Sequence, residues 1–329
     1  MVQLLMYGMP VHFPFTPYHE QKRLMQQTLN ALTRQRHALL ESPTGTGKSL
    51  ALLCACLAWQ REEQRKKLQQ VPQRQSLRKD DSANNKKAKA LDSKLKVPTV
   101  YLMSRTHGQL AQMVSELKKT KYANGVRMAV LGARKRLCSN SRVHRSADVN
   151  EGCRQAVSNM RCPHFLQAHK LKLPLRTHGN CAVEPEKQQE KQQEKQQEKR
   201  QEKPLRRLKM FDDTSIQQKT AAVSRSASLE SAHDVEELAA FAKSAGACGF
   251  FGARQRAEGA DLVLCPYNYV LDARIRQSMQ IDLKQAVLIF DEAHSVPGAA
   301  MQSQNLTVSL NDIRRLLTLL DDALVTRGA

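Results

Sequence analysis

The pattern of apolar and polar residues alternates between short runs typical of strands and longer segments with helical spacing. An apolar run at 37–42 (HALLES) predicts a short buried strand. The segment that follows, KSLALLCACLAWQRE, predicts a helix that is apolar on nearly every side. A helix of this kind belongs inside a layered fold, where its neighbours cover it all round.

The same alternation continues along the chain. Further β-rich runs lie at 98–103, 126–132, 261–266 and 286–294. The segment GQLAQMVSELKK, which follows the first of these runs, has the spacing of an amphipathic helix. Strand and helix in alternation predict an α/β fold with a parallel sheet, which binds its ligands at the carboxyl ends of the strands.

Two stretches have a composition that does not fit this sheet. Residues 61–96 are basic and poor in large apolar side chains, so we expect a disordered insertion after the first long helix. Residues 186–203 repeat every four residues, which places glutamate over glutamate and lysine over lysine on a helix. Because like charges at this spacing repel mildly, we expect a frayed helix or coil that serves as a solvated spacer.

The charge of the chain is strongly positive and favours a polyanionic partner. Lys and Arg number 52 against 31 Asp and Glu, a formal net charge of +21. Nucleic acid is the first such partner to consider. Part of the excess lies in 61–96 and 199–209, where it is equally explained as the charge of solvated linkers.

Nothing in the sequence is typical of a secreted or membrane-spanning protein. The apolar N-terminus, MVQLLMYGMPVHFPF, lacks the basic lead and the small-residue cleavage site of a signal peptide. No apolar run reaches the length of about 18 residues that a membrane span needs. We therefore expect an intracellular protein whose eight cysteines are thiols, metal ligands or catalytic groups rather than disulfides.

The stretch SPTGTGKS has the form of a phosphate-binding loop between a predicted strand and a predicted helix. Gly45 and Gly47 permit a tight turn, in which backbone N–H groups and the helix N-terminus bind phosphate. Lys48 is expected to reach the β- and γ-phosphates, and the Ser49 hydroxyl to bind Mg²⁺. The usual first glycine is replaced by Ser42, so this match alone leaves coincidence open. The residues assigned to the nucleotide here are Ser42, Pro43, Thr44, Gly45, Thr46, Gly47, Lys48 and Ser49.

A second feature supports a nucleotide site. The apolar run VLIF ends in DEAH, which places Asp291 and Glu292 at the carboxyl end of a predicted strand. There one acid can hold the Mg²⁺ ion through water, and the next can orient the attacking water. By itself DEAH can equally be the acidic start of a helix. Together with the loop it predicts hydrolysis of a nucleoside triphosphate, with Lys48, Asp291 and Glu292 as the catalytic groups.

Six segments together resemble the first lobe of the XPD-like superfamily 2 DNA helicases, in the iron-sulfur branch. The segments are FPFTPYHEQ, LLESPTGTGKSLALLC, SRTHGQLAQ, LGARKRLC, CPYNYVLDA and DEAH. Two stretches, FPFTPY and SRTHGQLAQMVSELKK, are most similar to the ChlR-type sister-chromatid cohesion helicases. SLALLCACLAWQ and CPYNYVLDARIRQSM are as similar to the FANCJ type. The resemblance covers nearly the whole chain apart from the two low-complexity insertions.

The resemblance implies a division of the chain. A RecA-like parallel sheet (helicase lobe 1) would comprise 1–132 and 256–329, with a small, mostly helical iron-sulfur domain inserted at 133–255. A low-complexity insertion at about 171–232 would interrupt that inserted domain. The chain is expected to end before the second RecA-like lobe, whose arginine completes the ATP site in this family.

The resemblance also implies roles for residues outside the phosphate loop. Gln21 would lie near the adenine, and His294 would couple the ATP and DNA sites, although a lone histidine there can equally be structural. The alternative for the segment after the strand at 98–103 is a plain loop in which Thr106 caps the next helix. The residues assigned to single-stranded DNA are Arg105, Thr106, His107 and Arg134.

The cysteines fall into structural thiols and candidate ligands. Cys54 and Cys56 lie in the apolar helix and Cys265 ends a strand, so all three are interpreted as structural. A zinc site usually includes a C-x₂-C pair, which the sequence lacks, whereas separated thiolates suit an iron-sulfur cluster. Spacing alone does not decide between them.

The resemblance assigns four ligands of a [4Fe-4S] cluster through their contexts LC, CP and ACGFFGAR. Cys181, which borders the charged repeat, competes with Cys162 for the third place. The long excursion before the last ligand is no objection, because doubling a flexible loop costs only about 0.6 kcal/mol more. The ligands so assigned are Cys138, Cys153, Cys162 and Cys248.

The resemblance implies an ATP-dependent DNA helicase that translocates 5′ to 3′. Its cofactors would be ATP, Mg²⁺ and the [4Fe-4S] cluster. Its substrates would be single-stranded and forked DNA in the nucleus. No membrane association is expected, and the sequence does not indicate protein partners. The basic runs NKKAKA and KPLRRLK are either nuclear signals or linker charge. A helicase of the DEAH type acting on RNA shares the acid motif but not the cysteines.

The rival interpretation is a non-catalytic iron-sulfur module for DNA binding or assembly. It is favoured by the short distance between His294 and the last residue, which leaves no room for a second lobe. An arginine that completes such a site contributes about 10³- to 10⁵-fold in rate. We therefore expect this chain alone to bind ATP weakly and to hydrolyse it slowly.

Overall fold

The computed structural model describes residues 1–43, 45–69, 97–171, 232–305, 308 and 310–327. These residues belong to one unit, which comprises Met1–Leu173 and Leu229–Ala329. The strands are β1 Val2–Met6, β2 Met9–Phe13, β3 Thr99–Ser104, β4 Met128–Val130, β5 Leu262–Pro266 and β6 Ala286–Phe290. The helices are α1 His19–Thr33, α2 Lys48–Gln69, α3 His107–Lys118, α4 Arg134–Leu137, α5 Ser141–His144, α6 Val149–Ser158, α7 Pro163–Leu166, α8 Val235–Ser244, α9 Gly249–Ala257, α10 Asn268–Leu271, α11 Ala273–Met279, α12 Val296–Gln304 and α13 Leu310–Arg327. Two short 3₁₀ helices span Ala168–Leu171 and Ala293–Ser295.

A four-stranded parallel sheet forms the centre of the described chain. Its strand order is β4-β5-β3-β6, so β3 lies between strands that are far from it in sequence. Ser104 at the end of β3 pairs with Pro266 of β5, and Met103 pairs with Phe290 of β6. The α/β fold with a parallel sheet is thus confirmed, and the residues that follow β3, β5 and β6 meet at one edge.

Helix α2 is the buried helix that the sequence predicts. Leu50, Leu53 and Trp59 are all at most 7% exposed. At its other end the Gln60 amide donates to the carbonyl oxygens of Pro98 at 2.7 Å and Asp261 at 2.8 Å. Because these acceptors immediately precede β3 and β5, Gln60 fixes the position of α2 along the sheet.

The boundary predicted for the first insertion is wrong at its start. Residues 61–69 continue α2 instead of beginning a disordered segment. Two ion pairs stabilise this polar end of the helix, and the members of each pair lie about one turn apart. They are Glu62 with Arg65 at 2.6 Å and Glu63 with Lys66 at 2.9 Å. The rest of the predicted insertion, 70–96, lies outside the described residues.

The strand predicted at 37–42 is also wrong. Residues 37–43 form neither helix nor strand, and Leu39 is 91% exposed. A run of three apolar residues supplies little intrinsic preference, and a strand forms only where a neighbouring strand pairs with it.

The N-terminal segment forms an antiparallel hairpin, β1 with β2, that its hydrophobicity did not predict. Tyr7 and Gly8 at its tip have φ of 49° and 74°, the left-handed values that a tight two-residue hairpin turn requires. Val11 and Phe13 are fully buried, so the hairpin packs its inner face into the main core. The Tyr-Gly pair between two apolar runs is the signal that could have revealed it.

The segments 133–171 and 232–255 are helical and lie in the same unit as the sheet. Leu137 of α4 and Phe250 of α9 belong to the main hydrophobic core. The predicted low-complexity insertion falls almost entirely on residues 172–231, which lie outside the described part, as does the repeat at 186–203. In the part of the chain that is described, no helix is both long and apolar enough to cross a membrane.

Candidate active site

The phosphate loop at the start of α2 has the backbone that its two glycines permit. Gly45 and Gly47 have φ of 79° and 72°, a region that residues with a Cβ rarely adopt. A Cβ at Gly47 would lie 2.5 Å from Nε2 of Gln21. The loop is therefore built for glycine at position 47, for its conformation and for the space beside it; Thr44 lies outside the described residues.

Gln21 of α1 connects the loop to the segment before that helix. Its Nε2 donates to the Thr46 carbonyl at 2.9 Å, and its Oε1 accepts from the Tyr18 N–H at 3.0 Å. Within the loop, Thr46 Oγ1 lies 2.8 Å from Ser42 Oγ and donates to the Pro43 carbonyl at 2.9 Å. Gln21 is 3% exposed, so it acts here as a brace for the loop, and its predicted contact with adenine stays a prediction.

The structure brings the acid motif to the loop, as the two motifs together predict. Ser49 Oγ donates to Asp291 Oδ2 at 3.3 Å across 242 residues of sequence. Lys48 Nζ donates to the Ser42 carbonyl at 3.1 Å and lies 3.6 Å from Glu292 Oε1. A hydroxyl, an ammonium group and two carboxylates thus converge at the carboxyl edge of the sheet. The oxygen atoms of this set can bind Mg²⁺, and the ammonium group can bind the phosphates of a triphosphate.

Asp291 stands in an environment that opposes its ionisation. Asp291 is 8% exposed. Burial is the main cause that raises the pKa of its carboxyl group, and the negative charge of Glu292 raises that pKa further. The hydrogen bond from Ser49 and the charge of Lys48 lower the pKa in part. A divalent cation bound beside Asp291 would favour the ionised carboxylate, because its double positive charge outweighs the single negative charge of Glu292.

A side chain that the motifs did not indicate also reaches this edge. Tyr267 follows β5, and its hydroxyl donates to the backbone carbonyl of Asp291 and lies 3.2 Å from that of Glu292. The sequence signal that could have indicated Tyr267 is its position in CPYNY, directly after β5, the strand that pairs with β3.

Three of the four residues predicted to contact DNA, Arg105, Thr106 and His107, follow β3 on the same edge. Arg105 is exposed, as a phosphate contact requires. Thr106 Oγ1 accepts from the Gln109 N–H at 3.3 Å and forms a capping box at the start of α3. The capping alternative for Thr106 is therefore what the structure contains. His107 is partly buried, and burial followed by the positive charge of Arg136 lowers its pKa.

Two more predicted residues take different surroundings. The Arg134 guanidinium lies 4.1 Å from the centroid of the Phe250 ring, a cation–π contact on a half-buried side chain. The His294 side chain is 75% exposed, with Nδ1 3.4 Å from Glu292 Oε2. That contact links His294 to the acid pair, while its role in coupling stays a prediction.

The four predicted cluster cysteines lie at the ends of, or within, short helices outside the sheet. Cys138 ends α4, Cys153 lies in α6, Cys162 precedes α7 and Cys248 precedes α9. The competitor Cys181 lies outside the described residues.

Two contacts join the last two cysteine segments across the undescribed excursion. The Cys248 N–H donates to the His164 carbonyl at 2.9 Å, and the rings of Phe165 and Phe251 pack edge to face at 4.6 Å.

The thiols are close enough to influence one another electrostatically. Burial raises the pKa of Cys138, and the charges of Cys153 and Cys162 raise it further. Burial likewise raises the pKa of Cys248 to about 11, with added contributions from Cys138 and Cys153. The Asn140 amide also donates to Cys162 Sγ at 3.5 Å. Thiols that gather and oppose one another's ionisation fit a cationic cluster, which would relieve the repulsion.

Among the described residues, no group of three or more His, Cys, Asp or Glu side chains is found that could hold a metal ion. The sulfur ligands of a four-iron cluster stand further apart than those of one ion, so the cluster stays a prediction. The three cysteines interpreted as structural, Cys54, Cys56 and Cys265, are at most 1% exposed. Burial raises the pKa of Cys54 and Cys56 to about 12, which agrees with that interpretation.

Comparison with known protein families finds two matches. The DEAD_2 family model matches residues 102–313, which include the segment after β3, the four predicted cluster cysteines and the acid motif. The model described as Type III restriction enzyme, res subunit, matches residues 14–124, which include Gln21 and the phosphate loop.

Curated relatives match along nearly the whole chain. The regulator of telomere elongation helicase 1 homologue of Caenorhabditis elegans is 31% identical over 326 residues, covering 95% of this chain and 27% of the relative. The protein of the same name in Drosophila virilis is 31% identical, covering 93% of this chain and 26% of the relative. The chain thus spans about a quarter of the length of these relatives. A solved structure titled XPD_Helicase aligns with a TM-score of 0.45 and 15% identity, covering 87% of this chain and 34% of that chain.

Proposed function

The chain belongs to the DEAD_2 family, and from this premise we propose that it forms the ATP-binding part of an ATP-dependent DNA helicase. The observation that carries the proposal is the convergence of two motifs from opposite ends of the sequence. Ser49 meets Asp291 at 3.3 Å, and Lys48 lies 3.6 Å from Glu292. Together these four side chains supply the groups that bind Mg²⁺ and the phosphates in such a site.

In this proposal each group has one task. The loop from Ser42 to Ser49 binds the phosphates through its backbone N–H groups and through Lys48. Ser49 and Asp291 hold the Mg²⁺ ion, which supplies charge neutralisation at the phosphates. Glu292 orients the attacking water and accepts its proton, and Gln21 lies beside the adenine.

Single-stranded DNA is the proposed polyanion, bound along the carboxyl edge of the sheet. Support comes from the net charge of +21 and from the exposed Arg105 directly after β3. The finer proposals are translocation from 5′ to 3′ and unwinding of forked DNA. Strand displacement on duplexes with a 5′ or a 3′ single-stranded tail would separate the two polarities.

We expect Arg105→Ala to weaken binding of single-stranded DNA and to reduce the stimulation of ATP hydrolysis by that DNA. Loss of one phosphate contact should reduce the salt dependence of binding by about one unit in the log–log slope. DNA affinity is measured by fluorescence anisotropy at several salt concentrations, and ATP turnover with and without DNA. The matched control is Arg34→Ala, an exposed arginine at the end of α1. An unchanged salt slope in Arg105→Ala, or an equal loss in both variants, would contradict the assignment.

Binding of a non-hydrolysable ATP analogue with and without Mg²⁺, measured beside DNA binding, decides between the helicase and the non-catalytic module. A chain that binds DNA but shows no Mg²⁺-dependent ATP binding would support the module. The chain spans about a quarter of the length of the relatives that it matches. We propose that it hydrolyses ATP slowly when assayed alone, and brisk turnover would contradict this proposal.

We further propose that Cys138, Cys153, Cys162 and Cys248 hold a [4Fe-4S] cluster. Support comes from the shared electrostatic environment of these thiols and from the Asn140 amide at Cys162 Sγ. When bound, the cluster would hold α4, α6, α7 and α9 together as a strand guide beside the first lobe.

We expect Cys162→Ser to lose bound iron while Cys181→Ser keeps it, because the charge of Cys162 acts on Cys138 and its Sγ accepts a hydrogen bond from Asn140, which follows Cys138 by two residues. Protein purified without oxygen is assayed for iron and for an absorption band near about 400 nm. Equal iron loss in both variants, or loss in Cys181→Ser alone, would contradict Cys162 as the third ligand. A colourless, zinc-containing wild type would contradict the cluster itself.

The subtype and the compartment are the remaining proposals. The ChlR and FANCJ types of the sequence prediction stay unresolved, and the relatives named for telomere elongation add a third type. Since telomeric DNA is nuclear, we propose a nuclear protein. Localisation of a fluorescent fusion, with the runs 85–90 and 203–209 replaced in turn, tests whether either run is a nuclear signal.

A further inference from the structure

The two carboxylates of the nucleotide site sit on an unusual turn of the backbone. Glu292 has φ of 55°, in the left-handed region that residues with a side chain rarely adopt. The turn lies between β6 and the 3₁₀ helix Ala293–Ser295, and the Ser295 N–H donates to the Glu292 carbonyl at 3.0 Å. Such a conformation persists only where surrounding groups hold it in place.

Tyr267 supplies a contact that holds this turn from the neighbouring part of the sheet. Its hydroxyl donates to the Asp291 carbonyl and lies 3.2 Å from the Glu292 carbonyl. One side chain therefore binds the backbone of both acidic residues, 24 and 25 residues away along the chain.

The tyrosine is itself held at several points. Its N–H donates to the Ser104 carbonyl at 3.3 Å, and its ring lies 6.0 Å from that of Phe290. The residue is 3% exposed. Because β3 lies between β5 and β6 in the sheet, Tyr267 reaches from the end of β5, past β3, to the turn after β6.

The hydroxyl is a donor under all ordinary conditions. Burial, followed by the charges of Asp291 and Glu292, raises its pKa to about 12. The charge of Arg105 acts in the opposite direction and lowers the pKa.

We propose that Tyr267 is a positioning residue of the nucleotide site, whose hydroxyl holds the turn at Asp291 and Glu292 so that both carboxylates face the metal and the water. The inference rests on the proposed ATP site. Tyr267 touches neither nucleotide nor metal, and it acts through the backbone of the residues that do. Its removal should therefore affect metal-dependent binding more than binding of the nucleotide alone.

The test is Tyr267→Phe, which removes the hydroxyl and keeps the ring against Phe290. Binding of a fluorescent, non-hydrolysable ATP analogue is followed by anisotropy, once against increasing Mg²⁺ and once in EDTA. We expect the Mg²⁺ concentration for half-maximal binding to rise about tenfold, because a buried carbonyl loses its donor and the carboxylate loses its position. Affinity in EDTA should match wild type, and the melting temperature should fall by only a few degrees, as expected for the loss of one buried hydrogen bond.

The matched control is Tyr269→Phe, a buried tyrosine two positions along whose neighbours include Arg134 and Cys265. It should leave the Mg²⁺ requirement unchanged. The inference is overturned if Tyr267→Phe keeps the wild-type Mg²⁺ requirement, or if binding in Mg²⁺ and in EDTA falls equally with the melting temperature. Failure of the proposed ATP site is distinguished by the wild type itself, which would then show no Mg²⁺-dependent binding, and the inference would be lost with it.

Discussion

Replacing Lys48 with alanine is expected to lower the affinity for Mg²⁺·ATP by about a hundredfold. The ammonium group lies beside Glu292 and the Ser42 carbonyl, at the point where the loop would bind the β- and γ-phosphates. Each charge-assisted hydrogen bond to phosphate contributes about 1.5–3 kcal/mol. Every 1.4 kcal/mol corresponds to about tenfold in affinity, so losing one or two such bonds accounts for the expected change. Isothermal titration or anisotropy with a non-hydrolysable analogue measures it.

Lys66→Ala is the control for this change. It removes an exposed lysine of the same helix, α2, whose partner is Glu63 rather than a loop residue. We expect its nucleotide affinity to equal that of wild type, with stability changed by less than about 1 kcal/mol. If Lys48→Ala retained wild-type affinity, Lys48 would not bind the phosphates, and the nucleotide site proposed at this loop would fail.

The convergence of the glycine-rich loop and the acid pair could be predicted from the sequence because both signals are local. A glycine-rich loop before an apolar helix and an acid pair after an apolar run each carry their chemistry in a few adjacent residues. Ser49 lies at the start of α2 and Asp291 directly follows β6, and the fold brings these two positions together at the carboxyl edge of the sheet.

Residues whose role depends on distant neighbours could not be predicted in this way. Tyr267 meets the carbonyls of Asp291 and Glu292 only because β5 and β6 flank β3, and this strand order is not written in any local pattern. The strand expected at 37–42 failed for a related reason, since apolar residues specify a strand only together with a partner strand.

Short-range side-chain contacts account for two further features. The polar residues 61–69 extend α2 with ion pairs between residues three apart, although their composition alone resembles that of a disordered segment. Thr106 caps α3, as its sequence context permits, and its predicted contact with DNA stays a prediction.

Glu292→Gln is expected to reduce ATP hydrolysis by about 10²- to 10⁴-fold while leaving Mg²⁺·ATP binding close to wild type. An amide cannot accept a proton from the attacking water, and a general base contributes about that factor in rate. Loss of the charge near Lys48 Nζ should, if anything, free the ammonium group for the phosphates. The split between binding and turnover separates Glu292 from Lys48, whose loss should affect binding first.

Single-turnover hydrolysis of radiolabelled ATP, with binding measured in parallel, tests this split, because it separates binding from the chemical step and from product release. Glu63→Gln is the matched control, since it removes a carboxylate that pairs with Lys66 far along α2. Equal loss of binding and hydrolysis in Glu292→Gln would make Glu292 a structural partner of Lys48. Unchanged hydrolysis would show that the general base is another group.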